Sequence, residues 1–311
     1  MLVAAVAAVT AFLALPACEQ ARSTLRPPPP TTTTTAEPRL DPVVAYQPLA
    51  GEPVPTAKQA AADVLQVIGT YERGEGTLAL ARARLEVRGF PPSLADGAGV
   101  LLDPGQAGAV DVVYPQLGGL TATSASVMTV IRQRVLRDRV ESAVSRTVDV
   151  RLQRTGETWA PVSLASMGGE PVAVPADAGP LVRSVLENPN LDLPDSARWD
   201  IASGRTGARV LQLLNDLSAA HQLRVTVLAS GHPPAVFGKR SMSNHTRGRA
   251  VDIWAVDGTP VLEQRDPNGP LGALVRQLRE QGVTELGAPF ALAGSFSDTV
   301  HQDHLHLGFD A

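Results

Sequence analysis

Cysteine is almost missing from this 311-residue chain. The single one, Cys18, rules out an intrachain disulfide and a cysteine-based zinc finger. Aromatic residues are scarce, 4% against 44% hydrophobic overall, so the cores must be built from Ala, Val and Leu. Neither sign of charge dominates: 27 Lys+Arg face 31 Asp+Glu, for a formal net charge of −4. That balance argues against a nucleic-acid partner, which would require a basic face. No histidine precedes His221, so imidazole chemistry is confined to the last third. The opening apolar run, residues 1–17, is short for a membrane-spanning helix.

That run carries no charge and fits the apolar region of a secretory signal. It ends in Leu15-Pro16-Ala17-Cys18, which resembles the bacterial lipobox. The resemblance implies export, a diacylated Cys18 and a lipoprotein held at the outer face of the cytoplasmic membrane, beside the cell wall. The alternative is an uncleaved apolar anchor with an incidental cysteine. Residues 19–52 follow as a tether, with Pro27 to Pro30 and then Thr31 to Thr35. Such a composition buries too little to fold and makes a semi-rigid spacer.

Residues 53–170 read as a small α+β accessory domain. Thr56 with Gln59 three residues on has capping-box spacing, and Val64, Leu65, Ile68 and Tyr71 then share a helical face. A second helix passes through Leu78, Ala81 and Leu85. Beyond it the period becomes two, around Val127 to Arg132 and Thr147 to Leu152, with a further short strand at 159–166. Helices covering one face of such strands give an order similar to nuclear transport factor 2-like or cystatin-like domains. The proline-rich stretch 171–199 reads as a connector.

Residues 200–311 read as a second α+β domain. A helix is expected over 206–220, strands at 223–229 and 250–254, a helix after Pro270 stopped by Gly282, and a last strand at 304–309. Four of the six histidines fall in two short pieces here. One is Ser243-Asn244-His245-Thr246-Arg247-Gly248-Arg249-Ala250-Val251-Asp252; the other is His301-Gln302-Asp303-His304-Leu305-His306. Period two puts His304 and His306 on one face of the last strand. Imidazole nitrogen and carboxylate oxygen are what catalytic Zn²⁺ takes, three protein groups leaving a position for water. The bland readings are a helix-end role for His221, a loop role for His232, core or cleft-wall roles for Trp254 and Phe296, and solvent for Arg247 and Arg249.

Ser-x-His-x-x-Gly-x-Ala-x-Asp followed by His-x-His resembles the zinc D,D-peptidases of bacterial cell walls, which share the Hedgehog fold. The resemblance covers the last third. It implies an antiparallel sheet with helices and a zinc metallopeptidase of D-alanyl-D-alanine carboxypeptidase or endopeptidase type, acting on peptidoglycan peptides. The zinc ligands it implies are His245, Asp252 and His306. Asp303 falls at the general base, His304 at the non-ligand His of the pair, and His301 where murein endopeptidases carry a further active-site His. Ser243 belongs to the motif and is expected near substrate. Where many relatives place an arginine, this chain has Ser230-Gly231-His232-Pro233-Pro234; Lys239 or Arg240 is the expected substitute for binding substrate. The rival expectation is an inactive wall-binding protein with a structural zinc.

Overall fold

Proline opens the first helix, α1 (Pro55–Gly69), where its fixed φ suits the first turn and its missing N–H costs nothing. The cap position is therefore Val54, without a side-chain cap, and the capping box expected at Thr56 is not used. The structure, a computed structural model, describes residues 38–310. Cys18, the signal-like run and the polythreonine tract lie outside the described residues, so their expectations stand untouched. Among the described residues no helix is long and apolar enough to cross a membrane.

Ala57, Ala61, Val64, Leu65 and Ile68 form the buried stripe of α1. Lys58, fully buried, sits beside it. Helix α2 (Leu78–Val87) starts at Thr77, whose hydroxyl accepts from the Leu80 N–H at 3.3 Å. Both helices pack with an antiparallel meander of four strands in chain order. The strands are β1 (Ala107–Leu120), β2 (Ser124–Arg137), β3 (Val140–Thr155) and β4 (Thr158–Ser166). Asp138 and Arg139, both at positive φ, make the two-residue turn between β2 and β3.

Strand β1 was not anticipated, and it decides how this half meets the rest. Its pairing with β2 slips between Val112 and Tyr114. Val110 and Val112 before the slip face the helix-covered core, and so does Leu117 after it. Tyr114 and Gln116 face the other way, toward the C-terminal sheet. A one-residue bulge exchanges the two faces of a strand.

The stretch expected to be a connector contains α3 (Pro180–Leu186), the short β5 (Leu191–Asp192) and the start of α4 (Asp195–Ala202). Val185, Leu186, Leu191, Leu193 and Ala197 join the C-terminal core. Helix α5 (Ala208–Ser218) and strands β6 (Leu223–Val227), β7 (Ala250–Val256) and β8 (Thr259–Pro260) follow. Then come α6 (Pro270–Glu280), ended at Gly282 (φ 85°), β9 (Glu285–Gly287) and β10 (Leu305–Gly308). The sheet runs β5-β6-β7-β10-β9 with β8 beside β7. Its β5–β6 pair is parallel, so the sheet is mixed rather than antiparallel: α4 and α5 carry the chain from β5 back to the same end before β6 begins.

Each sheet has its own hydrophobic core, and aromatic and polar contacts join them. Tyr114 stacks on Trp254, ring centroids 4.7 Å apart and 9° from parallel. The Thr147 hydroxyl donates to the Thr226 carbonyl at 2.5 Å, and the Ser145 N–H to Asp195 at 2.8 Å.

Candidate metal centre

Antiparallel pairing sets the first two groups. In the β7–β10 register Asp252 stands directly opposite His306, and facing residues of such a pair project to the same side. Their side chains meet with His306 Nδ1 2.9 Å from Asp252 Oδ1. The third group arrives on the long loop between β6 and β7. There the buried Ser243 hydroxyl accepts the His245 N–H at 3.2 Å, and Gly248 turns the chain back at φ 66°. A Cβ on Gly248 would collide with the Arg205 carbonyl, so that position accepts only glycine without rearrangement.

His245 Nε2 lies 3.1 Å from Asp252 Oδ1 and 3.2 Å from His306 Nδ1. Ligands at about 2.0–2.1 Å from a tetrahedral ion stand roughly 3.3 Å apart. The three atoms are therefore spaced as a common cation requires, to within a few tenths of an ångström. Tautomers agree. His245 Nδ1 is 2.5 Å from the Leu228 carbonyl, which only accepts, so Nδ1 carries the proton and Nε2 offers its lone pair. On His306, Nε2 faces Glu285 at 3.4 Å and leaves Nδ1 for the centre. A far nitrogen held by a carbonyl or carboxylate is the usual support of a ligating imidazole.

His232, a loop residue by its sequence, also reaches the centre. Its ring stacks on His245, centroids 4.0 Å apart and 15° from parallel. Its Nδ1–H donates to the Pro233 carbonyl at 2.6 Å, freeing Nε2. His232, His245 and Asp252 each present a ligand atom within 4.8 Å of the others, a group that could hold a metal ion. Burial, reinforced by the neighbouring His245, holds His232 well below the ordinary imidazole value, in the neutral form a ligand needs.

Hydrogen bonds and neighbouring charges set the remaining ionisations of the centre. Burial opposes protonation of His306, yet its hydrogen bonds to Asp252 and Glu285 prevail and raise it to about 9. Burial likewise opposes the charge of Asp252, and the imidazoles of His245 and His304 overcome it, holding the carboxyl well below its usual range. The hydrogen bond from His306, aided by one from Asn244, lowers Glu285 to about 2. No protein-family model, curated protein or solved structure matches this chain.

The centre opens on a cleft of about 720 Å³ whose lining includes His232, Ser243, Asp252, His301, His304 and His306. Phe296 lies on its wall, edge-on to His301. His301 Nδ1 binds Asp298 at 2.7 Å, so Nε2 remains for the cleft, and burial lowers its pKa against that carboxylate's pull. Of the two cations expected to meet substrate, Lys239 lines the cleft; Arg240 is exposed and does not. Ser243 lines the cleft too, its hydroxyl accepting the His245 N–H. His221 pairs with Asp257, away from the centre.

Asp303 is placed differently from a carboxylate facing a bound water. It is fully buried and absent from the cleft lining. Oδ1 accepts from His304 Nδ1 at 2.6 Å; Oδ2 accepts the Leu117 N–H at 2.9 Å and faces the Lys58 ammonium at 2.5 Å. Lys58 also binds Glu52. Against the opposing effect of burial, Lys58 and His304 keep Asp303 below the usual carboxylate range. His304 Nε2 then comes within 3.8 Å of Asp252 Oδ2. Lys58, Glu52 and Leu117 carry no functional signal in the sequence; Lys58 is a charged residue on the buried side of an apolar helix.

Proposed function

We propose that the chain is an exported zinc peptidase that hydrolyses the stem or cross-link peptides of peptidoglycan. The observation carrying this reading is the convergence of His245 Nε2, Asp252 Oδ1 and His306 Nδ1 to within 2.9–3.2 Å, at the floor of an open cleft. A donor set of two nitrogens and one oxygen, without thiolate, suits zinc in a catalytic setting. The motif around His245 and the closing His-x-His support membership of the D,D-peptidase family on the Hedgehog fold, with the N-terminal sheet as a cystatin-like accessory layer. Cys18 as a lipid anchor would keep the enzyme beside its substrate.

When bound, zinc supplies a water acidified to a pKa of about 7 and a Lewis acid for the scissile carbonyl. The protein's own groups do the rest. His301 faces the cleft in its neutral state, oriented by Asp298, and is placed to take a proton and return it to the leaving amine. His304, anchored by Asp303 through Nδ1–H, directs Nε2 toward the centre, where the N–H of the doubly protonated ring would stabilise a developing oxyanion. Asp303 thus acts through His304 as a positioning residue. Lys239 and Arg247 on the cleft wall suit a carboxylate of the peptide.

One observation favours a second reading, a wall-binding protein with structural zinc: if His232 joins the other three donors, the shell is closed. Muropeptide digestion followed by mass spectrometry, with and without chelator, separates the two. Chelator-sensitive release of new products, abolished by His301→Ala with metal content intact, supports the peptidase. Metal-loaded protein that binds sacculi and releases nothing, and becomes metal-poor as His232→Ala, supports the binding protein.

A further inference from the structure

The N-terminal sheet reaches into the metal centre. Bulged strand β1 sends the Gln116 side chain across the junction, where its amide donates to Asp252 Oδ2 at 2.6 Å. Both side chains are buried, Gln116 at 0% and Asp252 at 1% exposure. The other amide atom, Gln116 Oε1, is buried without a partner. The polar work of this side chain is therefore that single bond, and a buried amide oxygen left unpaired is a cost the site tolerates. Asp252 is divided between its two oxygens: Oδ1 meets His245 and His306, and Oδ2 is held by Gln116.

We propose that Gln116 is a positioning residue of the metal centre, holding Asp252 as a one-oxygen ligand from the accessory sheet. By occupying Oδ2, the amide keeps the carboxylate from rotating to chelate the ion with both oxygens. The residue next to it does a parallel task, since the Leu117 N–H binds the Asp303 carboxylate that orients His304. Two consecutive residues of β1 thus support two groups of the centre. A support of this kind contributes roughly ten- to a hundredfold in metal affinity.

The proposal rests on the metal reading above and is tested by Gln116→Met in the full chain. Methionine has a similar length and flexibility, and no group that loses a second partner. Zn²⁺ affinity is measured by competition with a chromogenic chelator, and Co²⁺ spectra report the coordination shell. The expected result is a thermal midpoint of the metal-free protein close to wild type, Zn²⁺ affinity weaker by about 10–100-fold, and an altered Co²⁺ visible band. Gln116→Asn, one methylene too short to keep the bond, should resemble Gln116→Met. Unchanged affinity and spectrum in a folded Gln116→Met protein would overturn the positioning role while leaving the metal centre standing. Wild-type protein that binds neither ion overturns both. Should Gln116→Met fail to fold, Gln116→Asn carries the test, and wild-type affinity and spectrum in that folded variant reject the role.

Discussion

Replacing Lys58 with methionine probes the least expected contact in the molecule. The ammonium is fully buried between Glu52 and Asp303, both carboxylates themselves out of water. At an effective dielectric near 20, unit charges about 4 Å apart attract by roughly 4 kcal/mol. Two such attractions are offset by the mutual repulsion of the carboxylates and by the cost of dehydrating all three groups. Removing one member of a buried pair costs about 3–5 kcal/mol, because the partners keep their dehydration without compensation. Lys58→Met should lose that amount in urea unfolding of the metal-free protein at pH 7, a large part of a typical stability of roughly 5–15 kcal/mol. The pH dependence identifies the cause. Without the ammonium, the burial that already opposes the charge of Asp303 pushes its folded-state pKa up past the unfolded value, so the folded variant binds more protons than the unfolded chain. Its deficit should therefore be greatest at neutral pH and shrink on acidification toward pH 5. Adding Asp303→Asn should restore part of the loss. A deficit below about 1 kcal/mol, or one unchanged between pH 7 and pH 5, would refute the buried-charge account.

In the metal-free protein His306 is raised to about 9, above its unfolded value of about 6.5. Its contribution to stability is full below pH 6.5 and is lost as pH rises through about 9. Metal must displace that proton, so apparent Zn²⁺ affinity should climb close to tenfold per pH unit through the neutral range and flatten above about pH 9, with about one proton released per ion as read by calorimetry in buffers of different ionisation enthalpy. Gly248→Ala places a side chain at φ 66° against the Arg205 carbonyl; a loss of about 1–3 kcal/mol together with weaker metal binding is expected by thermal unfolding and chelator competition. A near-neutral change there would show that the His245 loop is not held by this turn.

The C-terminal site was legible where chemistry and period coincide. Asp252 meets His306 because the register pairs them; the last strand begins only at Leu305, yet His304, just before it, lines the same cleft. Helices α5 and α6 follow from leucines at helical spacing. What escaped reading came from across the chain. Strand β1 carries Gly108, Gly118, Gly119 and Pro115 and breaks its alternation at a bulge, so period-two reasoning passes over it. The partners of Asp303 and Asp252 arise from contacts between residues 186 and 136 positions apart, a separation no local pattern encodes. His232 looks ordinary in Gly231-His232-Pro233-Pro234; its stacking on His245 and its approach to Asp252 reveal it. Segment 171–199 reads as connector by its prolines, yet those at 180 and 194 open or precede helices, a position where proline favours helix.

The Tyr114–Trp254 stack and the Gln116 and Lys58 contacts beside it mean that the C-terminal third is not a cassette. Excised and spliced into another chain, it would carry its imidazoles intact while missing the props that aim two of its carboxylates. Recombination could preserve the recognisable signature and still deliver an impaired centre, so the smallest transferable unit begins upstream of α1.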